Sequence, residues 1–182
     1  MSKLKTITIA GISVVTLLIL SILIYTSTRP DTVRYERTAK INSPPEKIFA
    51  LIHDFHSWGL WSPWEKVDPA MKRTFSGAEN GKGAIYEWEG NNDIGKGRME
   101  IVEAVSPSKI VIQLDFLEPF EARNTAEFTL VTKGDTTQIT WAMYGPNEFI
   151  SKIMCIFFDM DEMIGKEFET GLNHLKTITE KK

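Results

Sequence analysis

One uninterrupted apolar run, Ile7–Tyr25, constrains this chain more than any other feature. It reads ITIAGISVVTLLILSILIY, 19 residues without a charge or a proline. A helix of that length rises about 28 Å, which is close to the hydrocarbon thickness of a bilayer. We therefore predict a transmembrane anchor over residues 1–26, a linker over residues 27–32 and one polar domain over residues 33–182.

The main alternative is a cleaved signal peptide, in which Lys3 and Lys5 would form the charged segment. The apolar run is longer than the ~7–15 residues of a typical signal peptide, and Tyr25–Pro30 lacks a small-x-small cleavage pattern. A buried core helix is a second alternative. Basic residues lie on both sides of the run, so the positive-inside rule gives no clear orientation. The short basic N-terminus slightly favours an external domain.

Composition excludes several classes of function. The formal net charge of −3 offers no basic field for nucleic acid. The single cysteine, Cys155, permits neither a disulfide within the chain nor a cysteine zinc site. Its apolar neighbours predict a small, buried hydrophobic side chain.

After the linker, the period-two pattern predicts a strand over Val33–Ile41, and a short helix follows Pro44. The tryptophan-rich segment Trp58–Trp64 predicts a broken helical turn that presses aromatic rings onto the core. Six further strands are predicted, joined by short turns: Met71–Phe75, Ala84–Glu89, Gly97–Val105, Ile110–Phe116, Ala126–Leu130 and Thr137–Tyr144. Such an order indicates an antiparallel meander with one apolar face.

From Phe149 to Ile178 the apolar period becomes helical, which predicts one long C-terminal helix. Its first turns are apolar on nearly all sides, because Met154, Ile156 and Phe158 lie off the main stripe. The predicted fold class is α+β: a helix-grip fold with a curved antiparallel sheet wrapped around the long C-terminal helix, preceded by one transmembrane helix.

Six segments carry a resemblance to a known family: Ile41–Phe49, Trp58–Trp64, Gly83–Asn91, Gly95–Met99, Thr137–Trp141 and Asp159–Leu172. They resemble the SRPBCC superfamily, which includes START and birch-pollen-allergen-like proteins, and specifically its bacterial polyketide cyclase/dehydrase-like branch. The resemblance implies a helix-grip fold. It does not imply one activity, because the superfamily includes lipid carriers, cyclases, oxygenase subunits and co-chaperone modules.

The candidate site is the space between the sheet and the last helix, where a curled sheet leaves room for an apolar ligand. Strand alternation and the helical stripe direct large apolar side chains towards it. The predicted ligand-binding residues are Tyr86, Trp88, Met99, Ile112, Leu114, Phe116, Phe128, Trp141, Met143, Met160 and Ile164.

No catalytic constellation is visible. His53 and His56 are three residues apart but lack further ligands, so no metal site and no cofactor are predicted. Glu87 and Glu89 lie on the face opposite Trp88, where Arg98 would pair with one of them. The chain has no Gly-x-Ser-x-Gly elbow and no nucleophile with a neighbouring base.

These observations predict a membrane-anchored protein that binds a hydrophobic small molecule or lipid, with the bilayer itself contacted through Ile7–Tyr25. One alternative is a polyketide cyclase/dehydratase-like enzyme. A buried acid, histidine or arginine in the cavity would support it, and strand alternation predicts none on the later strands. Another alternative is a protein-interaction module that exposes Met154, Ile156 and Phe158; no particular protein partner is predicted.

Overall fold

The computed structural model describes residues 2–181, which form two compact units. One unit comprises the N-terminal segment through Asp31 together with Asn147–Asp159. The other comprises Thr32–Pro146 and the chain from Met160 onward. The predicted boundaries at residues 26 and 32 concern an anchor in a membrane, and they stay a prediction.

Two helices form the first unit. Helix α1 spans Ser2–Ser27, and its segment Ile7–Ser27 is long and apolar enough to cross a membrane. Its most apolar stretch is not buried within the protein. Helix α3 spans Phe149–Phe157 and packs against α1.

The second unit is built on a curved sheet of seven antiparallel strands in the order β1-β7-β6-β5-β4-β3-β2. The strands are β1 (Thr32–Ile41), β2 (Lys72–Gly77), β3 (Ala84–Glu89), β4 (Lys96–Val105), β5 (Lys109–Glu118), β6 (Ala122–Lys133) and β7 (Thr136–Pro146). Strands β2 to β7 form the predicted meander, and β1 pairs with β7, with Thr32 opposite Pro146. The predicted α+β class with a curved antiparallel sheet is confirmed, and α1 is a helix that could span a membrane.

The inner face of this sheet is covered by α2 (Pro45–Ile52), two 3₁₀ helices (Phe55–Leu60 and Pro63–Lys66) and α4 (Met160–Thr179). The two 3₁₀ helices confirm the predicted broken turn. They bury Trp58 and Trp61, whose indole N–H groups donate to the backbone carbonyls of Ile52 and Leu51 at 2.9 and 3.0 Å. Both rings therefore enter the core without leaving a buried donor unpaired.

The prediction of one helix over Phe149–Ile178 is wrong, because the chain breaks between α3 and α4. Phe158 has extended backbone angles, with φ −131° and ψ 137°. Asp161 and Glu162 stand in the first turn of α4, where acidic side chains favour a helix N-terminus. A new helix start is therefore encoded inside a continuous apolar period.

The environment of Cys155 also differs from its prediction. Its side chain is partly exposed on α3, a helix in which no residue is buried. The apolar neighbours that suggested a core position are themselves partly or largely exposed. Apolar sequence context therefore does not determine burial here.

Candidate functional site

The predicted ligand-binding residues lie on the inner face of the sheet and on α4. Seven are buried: Tyr86, Trp88, Met99, Ile112, Leu114, Phe128 and Trp141. Phe116, Met143 and Ile164 are partly buried against the core, and Met160 is partly exposed at the start of α4. That these side chains line a ligand cavity stays a prediction.

Exposure of the inner face rises along the strands towards one end. On β5, Ile112 is fully buried, Leu114 is 9% exposed, and Phe116 is only partly buried. On β7, Trp141 is 3% exposed and Met143 is partly buried. Strands β5 and β7 run in the same direction, so Phe116 and Met143 lie at the same end of the sheet. We call this the open end; β1 begins there and β7 ends there.

One polar group on the inner face lacks a partner. Trp88 donates its indole N–H to the carbonyl of Ile94 at 3.2 Å, whereas the buried Nε1 of Trp141 has no acceptor among the described residues. The Trp141 ring is stacked on Phe168 at 4.3 Å and tilted against Phe128 at 4.9 Å. The N–H therefore lies in an aromatic, apolar environment, where an unpaired donor costs about 1–3 kcal/mol.

A buried carboxylate, Glu65, lies where the second 3₁₀ helix covers β2 and β3. Its side chain is 9% exposed, and its two oxygens accept from Tyr86 Oη at 2.6 Å and from Arg73 Nε at 2.8 Å. Arg73 also donates to the carbonyl of Met71 at 2.8 Å. The three side chains form a closed network in which each charge has a partner.

The electrostatics of this network keep its protons in place. Burial, followed by the hydrogen bond to Glu65, raises the pKa of Tyr86 well above its usual range. The hydrogen bond from Arg73 to Glu65 raises the pKa of the guanidinium. Tyr86 therefore remains a protonated donor, which makes it a weak general acid or base near neutral pH.

The acids and histidines that the sequence singles out as candidates lie elsewhere. Glu87 and Glu89 are exposed on the outer face, as predicted. Arg98 lies opposite Glu87 in the strand register, but its short ion pair, at 2.7 Å, is with Glu100. His56 stacks on Phe75 at 4.2 Å. Over residues 2–181 no group of three metal-ligating side chains comes together.

Sequence reasoning missed Glu65 because it searched for buried acids on strands. Glu65 comes from a 3₁₀ helix, directly after the tryptophan-rich segment, whose pattern indicates core packing alone. A usable clue was its position two residues after Pro63, since an acidic residue in a first helical turn is common. That clue predicts the turn but not the burial of the carboxylate, which depends on Arg73 and Tyr86 from other elements.

Comparison with known proteins places this chain in a family. Residues 32–180 match the family model described as "Polyketide cyclase / dehydrase and lipid transport". The match covers the second unit up to residue 180, and it includes the Asn147–Asp159 segment that separates the two parts of that unit in the sequence. None of the functionally curated proteins matches the sequence.

Solved structures share the fold at low identity. The Aha1 dimer from Colwellia psychrerythraea is 16% identical, with a TM-score of 0.59 over 81% of this chain and 96% of that one. The di-domain ARO/CYC BexL of the BE-7585A biosynthetic pathway is 10% identical, with a TM-score of 0.63 over 88% and 54%. Major latex-like protein 151 from Panax ginseng is 13% identical, with a TM-score of 0.57 over 84% and 100%. At these identities the likeness establishes the fold alone.

Proposed function

The chain belongs to the polyketide cyclase/dehydrase and lipid transport family, and from that membership we propose that it binds an apolar small molecule or lipid while anchored to a membrane. The proposed site lies between the curved sheet and α4. Its lining is apolar and aromatic, and the rise in exposure towards Phe116 and Met143 supports entry at the open end. The proposed anchor is α1, which is long and apolar enough to span a bilayer.

The unpaired N–H of Trp141 carries the argument for a ligand and for its chemistry. A buried donor with no protein acceptor gains a hydrogen bond when a ligand oxygen approaches it. The surrounding rings provide no charge, so the rest of the ligand would be apolar. The proposed ligand class is therefore a largely hydrocarbon or aromatic molecule that carries a carbonyl, ester or hydroxyl oxygen.

The test uses the full chain in detergent, titrated with the apolar fluorescent probe N-phenyl-1-naphthylamine. Leu114→Trp adds an indole to the inner face of β5, and we expect it to weaken probe binding at least about tenfold, a difference of about 1.4 kcal/mol. Val111→Trp adds the same ring to the outer face of β5 and is the matched control. It should leave probe binding unchanged.

A packed core would respond differently. Leu114→Trp would then lower the free energy of unfolding by about 1–3 kcal/mol through overpacking, and the unmodified chain would show no saturable probe binding. That result would contradict the binding proposal. Trp141→Phe gives a separate measurement. This variant should lower the affinity for an oxygen-bearing ligand recovered from membranes more than it lowers the affinity for the hydrocarbon-like probe.

A cyclase or dehydratase is the second candidate, and the buried Glu65–Tyr86 pair is the observation that favours it. Its weakness is that both oxygens of Glu65 are already engaged. Native mass spectrometry of the wild-type chain and of Glu65→Gln, both extracted from the producing cells' membranes, separates the two functions. If the protein is an enzyme, the variant would retain the unconverted substrate. For a dehydratase, this substrate would be heavier by one water than the product bound to the wild type. A binding protein would carry the same mass in both.

A further inference from the structure

Helix α3, in the first unit, exposes a stripe of apolar side chains. Its largest exposed side chains are Phe149, Ile150, Ile156 and Phe157, which are 51%, 52%, 37% and 69% exposed. With Ile153 they occupy positions i, i+1, i+4, i+7 and i+8, so they share one face of the helix. So much exposed apolar surface on nine residues marks an interaction surface.

One flank of α3, beside the stripe, is fixed to the end of α1. Lys152, the only charged residue of α3, donates to Asp31 Oδ1 at 2.6 Å. Asn147, just before the helix, donates its backbone N–H to the carbonyl of Asp31 at 2.8 Å and its side-chain amide to the carbonyl of Pro30 at 3.0 Å. These contacts lie within one compact unit, so α3 is held a few residues beyond the apolar segment of α1.

The end of α1 has the chemistry of a membrane interface. The guanidinium of Arg29 lies 4.2 Å from the ring centre of Tyr25, which is the last residue of the apolar run, and Arg29 follows four residues later. Tyrosine and arginine are favoured at the headgroup level, where one end of the side chain is apolar and the other is wet. A helix attached at this point starts at the depth of the headgroups.

We propose that α3 is an interfacial helix whose stripe, Phe149, Ile150, Ile153, Ile156 and Phe157, enters the lipid surface at which α1 ends. The proposal rests on the proposed role of α1 as an anchor. It commits to lipid rather than to a protein because α3 packs against α1, a candidate membrane segment, and because the stripe carries no charge. An amphipathic helix of this kind buries its apolar face about 5–10 Å into the boundary between headgroups and acyl chains.

The experiment places one environment-sensitive label, a nitrobenzoxadiazole, at single cysteines in a Cys155→Ser background. The full chain is reconstituted in phosphatidylcholine/phosphatidylglycerol vesicles. Phe157→Cys reports on the stripe, Ser151→Cys on the opposite, exposed side of the same helix, and Leu17→Cys on the centre of α1. We expect lipids brominated near the headgroup to quench the label at 157, and aqueous iodide to quench the label at 151.

The three positions separate the possible failures. If deeply brominated lipid fails to quench the label at 17, α1 does not span the bilayer and the anchor proposal fails. If the label at 17 is embedded while iodide quenches 157 and 151 equally, the interfacial helix alone is overturned. Protection of 157 only after native membrane proteins are added would also overturn it, because the stripe would then bind a protein.

Discussion

At the scale of single residues, the buried carboxylate of Glu65 holds the second 3₁₀ helix to the sheet, since its oxygens accept from Tyr86 and Arg73. Glu65→Gln removes the charge that Arg73 neutralises. We expect the free energy of unfolding to fall by about 2 kcal/mol, the range of a hydrogen bond to a charged group. Chemical denaturation of the detergent-solubilised chain measures this.

The matched control for that change is Glu87→Gln on the outer face of β3. Glu87 is exposed, so the same chemical substitution should alter stability by less than about 0.5 kcal/mol. Equal changes in the free energy of unfolding at the two positions would show that the Glu65 network does not stabilise the fold. Loss of function in Glu87→Gln with an intact fold would revive a catalytic role for the outer acids.

A second residue-scale prediction concerns pH. Arg37 bridges β1 to α4, and its hydrogen bond to Asp161 holds the pKa of that carboxyl below its ordinary value of 3.8. A lowered folded-state pKa stabilises the fold above the unfolded value, and this stabilisation is lost as the pH falls through the folded value. The stability difference between the wild type and Asp161→Asn should therefore shrink below about pH 4. A difference that stays constant from pH 7 to pH 3 would refute this.

At the scale of elements, Gly171 places the backbone of α4 close against the core. A Cβ there would lie 2.8 Å from Cζ3 of Trp141 and 3.2 Å from Cδ of Pro63. Alanine gains about 1 kcal/mol in helix propensity over glycine, but overpacking against a fixed ring costs about 1–3 kcal/mol. We expect Gly171→Ala to lower the melting temperature of the domain.

Gly165→Ala is the control on the same helix. Its Cβ would meet the guanidinium of Arg37, which lies at the end of a flexible side chain and can move. This substitution should be near neutral, because the gain in propensity offsets the weakened ion pairs to Asp161 and Glu169. If both variants raise the melting temperature alike, Gly171 is not a packing position.

These elements also show what a sequence of this kind reveals. Alternation along β3 predicted the inward phase of Tyr86 and Trp88 because a strand exposes two faces with a fixed period. The break at Phe158 could not be predicted from the apolar period, because the period continues through the break and does not show where a helix ends. The burial of Glu65 could not be predicted, because it depends on an ion pair with Arg73, which belongs to another element.

At the scale of the whole molecule, α1 predicts how the protein fractionates. The full chain should stay in the membrane pellet after alkaline carbonate extraction, because an apolar helix of this length leaves lipid only at a large cost. Deleting residues 1–30 should give a folded domain that carbonate releases, even if the stripe on α3 still contacts lipid weakly. A deletion variant that resists carbonate as well as the full chain does would refute the anchor.

The pairing of β1 with β7 has a consequence for how the protein is made. β1 is the first strand to leave the ribosome, yet its partner is the last, with Thr32 opposite Pro146. The nascent domain therefore carries an open strand edge throughout translation, and such non-local closure is slow. Charged side chains along its outward face, Arg34, Glu36 and Lys40, discourage other chains from pairing with it. A chain cut short before β7 keeps that edge permanently, and it should aggregate rather than fold.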